Sequence, residues 1–207
     1  MIQVDDTAYA AFEPPPAKFD DPEYNAKILD VWRKLIAEAR AQFARRDYDG
    51  AEASLKAALD KANHFGQSSG PVATSLLNLA QLYKRNDRAA EAEPLLARAA
   101  DVLEQTAGPH NKVTLLCLID LADVHVQRGD AEAALDQFGD VLRRLDVAET
   151  HQAHGRVALR EVRAGCLFRM AKVSASAGRL GDAEERLRLS LSLLEERWGA
   201  ASARLGA

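Results

Sequence analysis

At 207 residues, 47% of them hydrophobic, the chain has the size and apolar content of one folded domain or a short repeat array. A formal net charge of −4 gives no electrostatic footprint for nucleic acid or for an anionic membrane surface, so neither is expected as a partner. No apolar run reaches the length of a bilayer span, which argues against direct membrane insertion.

Residues 1–22 read as an extended, Pro-rich N-terminal arm. Pro14, Pro15 and Pro16 hold part of it extended, and Pro22 marks a helix start. Asp5, Asp6, Glu13, Asp20 and Asp21 are the wrong charge for a secretory signal or an Arg-rich transit peptide. The expected location is therefore intracellular and soluble: cytoplasmic, or organellar if a transit peptide has already been removed. Two readings of the arm stand side by side. It is either a loose tail, or a segment that docks through Ile2, Val4, Tyr9, Phe12 and Phe19.

A first long helix is predicted over residues 24–45, with Ile28, Leu29, Trp32, Leu35, Ala39 and Phe43 on its apolar side. A turn at Arg46-Asp47 leads to a second, from Tyr48 to Asn63. After the Gly70-Pro71 breaker, Leu76, Leu79, Ala80 and Tyr83 recur at helical spacing. Beyond the polar turn Arg85-Asn86-Asp87, Ala92, Leu96 and Ala99 do the same. Further helices are expected at Lys112–Gln127, Ala131–Val147, Arg156–Ser176 and Gly181–Arg197, with the weakest helical stretch around His151 to Gly155. Eight helices and no convincing strand define an all-α chain.

The pattern repeats. Moving Leu79, Ala80, Tyr83, Ala92, Leu96 and Ala99 forward by 42 residues gives Leu121, Ala122, His125, Ala134, Phe138 and Val141. A further 49 gives Met170, Ala171, Ser174, Ala183, Leu187 and Ser190, and 41 backwards gives Glu38, Ala39, Gln42, Ala51, Leu55 and Ala58. Four helix-turn-helix units follow, at about 24–65, 70–107, 111–149 and 156–198 within an array spanning 23–198, and 199–207 form a short tail with room for one more helical turn from Ala200 to Leu205.

The stretch Val72 to His110, VATSLLNLAQLYKRNDRAAEAEPLLARAADVLEQTAGPH, resembles the tetratricopeptide repeat (TPR) in its 42-residue, kinesin-light-chain-like form. The carrying residues are Leu79-Ala80, Tyr83, Ala92, Leu96 and Ala99, closed by Gly108-Pro109-His110. The resemblance runs over about residues 30–197 and is strongest in the second and third copies. It implies an α-α superhelix with a concave groove lined by the first helix of each pair, a non-enzymatic scaffold or adaptor, and a protein partner, peptide or helix, held in that groove.

Carried onto this sequence, the groove positions expected to bind the partner are Ile36, Arg40, Leu77, Asn78, Gln81, Lys84, Ile119, Asp123, Phe168 and Lys172. Ile36, Leu77, Ile119 and Phe168 occupy one repeat position and read as an apolar stripe with a mixed-charge border. Packing against neighbouring helices, or cover by the N-terminal arm, stands as the other reading of the same four residues. A carboxylate clamp of the chaperone-tail kind is not expected. Only Asn78 suits it; Ile36, Arg40, Leu116 and Asp120 occupy the other clamp positions, and Asp120 would repel a carboxylate.

No catalytic residue, cofactor site or metal site is expected. His151 and His154 with Glu149 lack a further ligand pair, and His125 falls at an aromatic packing position. Cys117 and Cys166 stand at equivalent positions on successive first helices, which suits shared packing better than a disulfide or a redox role. Arg156, Arg160 and Arg163 share a helical face and are expected to pair with acids such as Asp140, Asp146 and Glu161. The last helix carries Leu189, Leu191, Leu193 and Leu194 without a long polar capping helix after it. Self-association through this helix is one expectation. The other is an accessory subunit or assembly factor of a large multi-subunit complex, organellar or membrane-bound, docking through the arm and this uncapped end.

Overall fold

The computed structural model describes residues 21–151 and 156–205, and the arm up to Asp20 and the junction at 152–155 lie outside them. The described residues form α1 (Pro22–Ala44), α2 (Tyr48–Ala62), a short 3-10 turn (Asn63–Phe65), α3 (Gly70–Arg85), α4 (Ala89–Thr106), α5 (Lys112–Gln127), α6 (Ala131–His151), α7 (Arg156–Ser176) and α8 (Leu180–Leu205). The chain is all-α, built of four helix-turn-helix pairs.

Two compact units divide the chain, Met1–Gly108 and Pro109–Ala207. In the first, α1 packs on α2, α2 on α3 and α3 on α4; in the second, α5 packs on α6, α6 on α7 and α7 on α8. The first helix of each pair also touches the first helix of the next pair in its unit, α1 on α3 and α5 on α7.

The helix starts follow from local chemistry. Asp21 caps α1 by accepting from the backbone N–H of Glu23 (3.0 Å) and Tyr24 (3.1 Å), and Pro22, which has no N–H to satisfy, takes the first turn. Asp47 caps α2 through Gly50 N–H, and Asp130, at the same repeat position, caps α6 through Ala133 N–H, both at 3.0 Å.

All four intra-pair turns have one construction. Arg46, Asp87, Gly129 and Gly178 have φ of 63°, 58°, 83° and 75°, in the left-handed region. The residue after each donates its N–H back to the carbonyl of Gln42, Tyr83, His125 or Ser174, at 2.9 Å in every case. This is the Schellman closure, which satisfies a helix-end carbonyl and reverses the chain within a few residues. The same repeat offsets that order the apolar residues therefore order the turns.

The core uses the small-large alternation. Ala51, Ala58, Ala80, Ala92 and Ala99 are fully enclosed where helices approach closely, and Leu55, Leu76, Leu96 and Leu103 interlock around them. In the second unit Ala122 and Ala134 are the close-approach residues, with Leu115, Phe138, Val141 and Leu145 filling the space. Each buried leucine or phenylalanine contributes roughly 1.5–3 kcal/mol through the water it leaves.

Two boundaries differ from expectation. The short tail anticipated after Trp198 is helical to Leu205, because Ala200, Ala201, Ala203, Arg204 and Leu205 are strong helix formers and the lone Gly199 only weakens the run. The 3-10 turn at Asn63–Phe65 has no counterpart in the sequence pattern. It packs Phe65 into the core, and His64 stacks edge-on against Tyr24 of α1 while its Nε2 lies 2.9 Å from Asn25 Oδ1. No described helix is long and apolar enough to cross a membrane.

Candidate functional site

The residues expected to line the groove part into two groups. Ile36, Leu77 and Ile119 are buried, and Lys84 is buried with them. Arg40 and Lys172 are exposed, and Asn78, Gln81 and Asp123 are partly exposed. Phe168 alone of the four apolar stripe residues is open, at 48% exposure. A continuous apolar stripe available to a partner is therefore corrected: three of its four members are enclosed.

The repeat register explains two of those three. Ile36 lies on α1 and Ile119 on α5, and each of these helices has another first helix against it in its own unit. Phe168 is the same position on α7, where no further first helix follows among the described residues. A helix in such an array meets a neighbour on two sides, so its apolar arc is wider than one face and includes side chains that a simple amphipathic helix would present to a ligand.

In the first unit, the expected groove positions that stay open are polar. Arg40 of α1 occupies the repeat position that Gln81 fills on α3. Asn78 turns its amide inward, donating Nδ2–H to the Thr74 carbonyl at 2.9 Å, which fixes its carboxamide along the α3 axis. In the second unit, Asp123 of α5 and Arg169 of α7 form an ion pair (Nε to Oδ2, 3.2 Å), each a little more than a quarter exposed. Phe168 adjoins Arg169 in the chain and Lys172 follows one turn later, so an aromatic ring, a bridged carboxylate and an exposed ammonium share the first-helix surface of this unit.

A second charged network, which no sequence pattern announces, joins the first pair to the second. Arg88 Nη1 meets Glu52 Oε2 at 2.5 Å, and its Nε meets Glu91 Oε1 at 2.6 Å. The guanidinium lies over the Tyr83 ring, 4.1 Å from its centroid. Tyr83 O–H donates to Glu52 Oε1 at 2.9 Å, and Lys56 Nζ lies 2.6 Å from the same oxygen. Hydrogen bonds from Arg88 and then Lys56 hold the Glu52 carboxyl down at about 2. With every member tied to another, the network suits a clamp between repeats better than a site with capacity for a ligand.

Of the arginine stripe, Arg163 is committed, as are Arg143 and Arg144 upstream of it. Arg163 pairs with Asp146 (2.8 Å) and Glu149 (3.1 Å), and Arg143 and Arg144 both reach Asp140. Cys117 and Cys166 are both free and buried. Cys166 S–H donates to the Phe138 carbonyl at 3.6 Å, and burial pushes its thiol up to about 12. His125 is half-buried at its turn. Among the described residues no group of three His, Cys, Asp or Glu side chains could hold a metal ion; the His151 side chain and His154 lie outside what is described.

Residues 71–146, from the second helix pair into α6, match the family model described as tetratricopeptide repeat. No curated protein matches the chain. Among solved structures, the fold is similar to BtubC (BKLC) from P. vanneervenii, at 18% identity and a TM-score of 0.70, over 88% of this chain and 68% of that one. It is also similar to a putative kinesin light chain of Podosopora anserina with nearly identical TPR-like repeats, at 18% identity and a TM-score of 0.64, over 87% of this chain and 81% of that one. A third neighbour is the apo form of RapI, at 15% identity and a TM-score of 0.53, over 86% of this chain and 73% of that one. At such identities the likeness is one of fold. Taken with the repeat offsets that recur in both core and turns, residues 71–146 are tetratricopeptide repeat, and the chain shares the fold of the kinesin-light-chain-like repeat structures.

Proposed function

We propose that the chain is a non-enzymatic protein-interaction scaffold whose first-helix surface takes a peptide or helix of a partner protein. The observation that carries this reading is the open surface of α7, where Phe168 is half-exposed, next in the chain to Arg169 of the Asp123–Arg169 pair and one turn before the exposed Lys172. An aromatic side chain framed by oriented charges is the composition of an interaction hot spot: the ring supplies buried area and the charges set orientation. In the first unit, Arg40 and Gln81 offer a polar recognition surface of their own. Because Ile119 is enclosed, the segment that fits the second unit is mainly polar, with one apolar side chain for Phe168.

The test is purification of the intact chain with its stoichiometric partner from the native cell, followed by the same experiment with Phe168→Asp. Loss of the partner with unchanged helicity supports the reading, and full retention overturns the assignment of Phe168.

A second reading, an accessory subunit or assembly factor of a large complex, is favoured by a different observation: Leu180, Leu189 and Leu191 of α8 are exposed. Partner loss on charging Leu191, with none on charging Phe168, would favour it.

A further inference from the structure

One position follows the repeat register from closed to open. Leu55 of α2 and Phe138 of α6 are buried, and their counterpart on α8, Leu187, is 37% exposed. On α8, Leu191 follows Leu187 by one turn and is 57% exposed, and Leu180 is more open still. Leu180, Leu187 and Leu191 recur at helical spacing and form one apolar face at the forward side of the fourth pair.

What closes this face elsewhere is visible in each unit. In the first, α3 lies against α1 and α2, with Val72 and Leu76 buried; in the second, α7 lies against α5 and α6, with Leu167 buried. In both units the receiving element is the first helix of the following pair, and it offers the Leu76 position, held by Leu167 on α7, where the Val72 position is the ion-paired Arg163. At those positions α1 carries Val31, 40% exposed, and Leu35, half-buried, whereas Val72, Thr114 and Leu118 are buried. The chain therefore presents both halves of its own repeat-to-repeat interface, one on α7–α8 and the other on α1.

We propose that copies of this chain associate head to tail, α1 of one copy closing the α7–α8 face of another in the register that α3 and α7 adopt within their units. The occupant is a second copy because the complementary apolar positions, in the same repeat register, are exposed on the same molecule. Such an interface is heterologous: each copy uses two different surfaces, so association does not stop at a dimer unless a ring closes.

Sedimentation of three forms tests this: the intact chain, a Leu187→Glu/Leu191→Glu variant and a Val31→Glu variant. All three altered residues are exposed, so the fold is expected to persist, and far-UV circular dichroism checks it; Leu191→Lys is the second variant should the double change disturb α8. The intact chain should gain mass beyond a dimer as concentration rises, and each variant alone should be monomeric. Mixed, the two variants should form a dimer and nothing larger, because each supplies the face that the other lacks. An intact chain that stays monomeric at the highest concentration reached overturns the proposal, and this is the result expected if the chain's own arm or an unrelated partner covers the face. A Val31→Glu variant that still dimerises also overturns it, since two α7–α8 faces would then be meeting each other.

Discussion

Asp87 and Gly129 hold the same left-handed turn one repeat apart, with φ of 58° and 83°. A side chain in that conformation costs roughly 1–2 kcal/mol, somewhat less for Asp, so two of the four turns are built at a steric disadvantage that the other two avoid. A Cβ added at Gly129 meets nothing within 4 Å, so any substitution cost there is backbone conformation alone. Gly129→Ala should therefore lower stability by about 1–2 kcal/mol. Arg46→Gly should raise it by about 0.5–1 kcal/mol, the gain being trimmed by the greater freedom of glycine in the unfolded chain. Urea unfolding of the two variants checks both signs.

Glu52 gives the chain an acid-sensitive clamp. Its carboxyl is held at about 2 against an ordinary 4.5, chiefly by the hydrogen bonds from Arg88 and Lys56. A depressed carboxylate contributes stability that is complete above its unfolded value and is lost as pH falls through the window from 4.5 to about 2. Glu52→Gln should cost about 1.5–3 kcal/mol near neutrality. It should cost much less at the acid end of that window, so the stability-versus-pH curve of the variant should be flatter there. Chemical denaturation at several pH values measures the difference.

Leu96 and Leu187 occupy one repeat position with opposite surroundings, the first fully enclosed and the second partly open. The identical substitution should therefore have unequal effects. Leu96→Ala should cost about 2–5 kcal/mol, and Leu187→Ala about 1 kcal/mol or less, with both measured on dilute protein so that self-association does not contribute.

Cys166 and Cys117 should be silent to a thiol reagent in the native state at mildly alkaline pH and both react on unfolding. Burial raises the Cys166 thiol to about 12, leaving almost no thiolate, and both sulfurs are shielded from solvent. Rapid labelling of native protein would contradict the packing described for α5 and α7.

The fold was legible because its signal is redundant: Leu79, Ala80, Ala92, Leu96 and Ala99 recur at offsets long enough to exclude chance periodicity. Gly129 and Gly178 also announce their turns. Arg46 and Asp87 do not stand out in the same way, and their register with the two glycines is what gives them away. The apolar stripe is ambiguous for a physical reason. An apolar residue on a repeat helix can face its own partner, the next repeat or a ligand, and Ile36, Leu77, Ile119 and Phe168 look alike until burial separates Phe168 from the rest. The Glu52–Arg88 clamp was illegible because it depends on how two turns orient α2 and α3, which no local pattern encodes. The helical extension beyond Trp198 is hidden by Gly199, a weak break that resembles an end.

The first-helix surface around Phe168 is the proposed partner site. Its most direct test is the dissociation constant of the co-purified partner for the intact chain, Phe168→Asp and Leu191→Glu. A buried aromatic anchor predicts at least about tenfold weaker binding for Phe168→Asp, while Leu191→Glu, altered only on the end face of α8, should bind as the intact chain does. Equal affinity of all three proteins would contradict the claim, and weakening by Leu191→Glu alone would move the binding site to the end of the array.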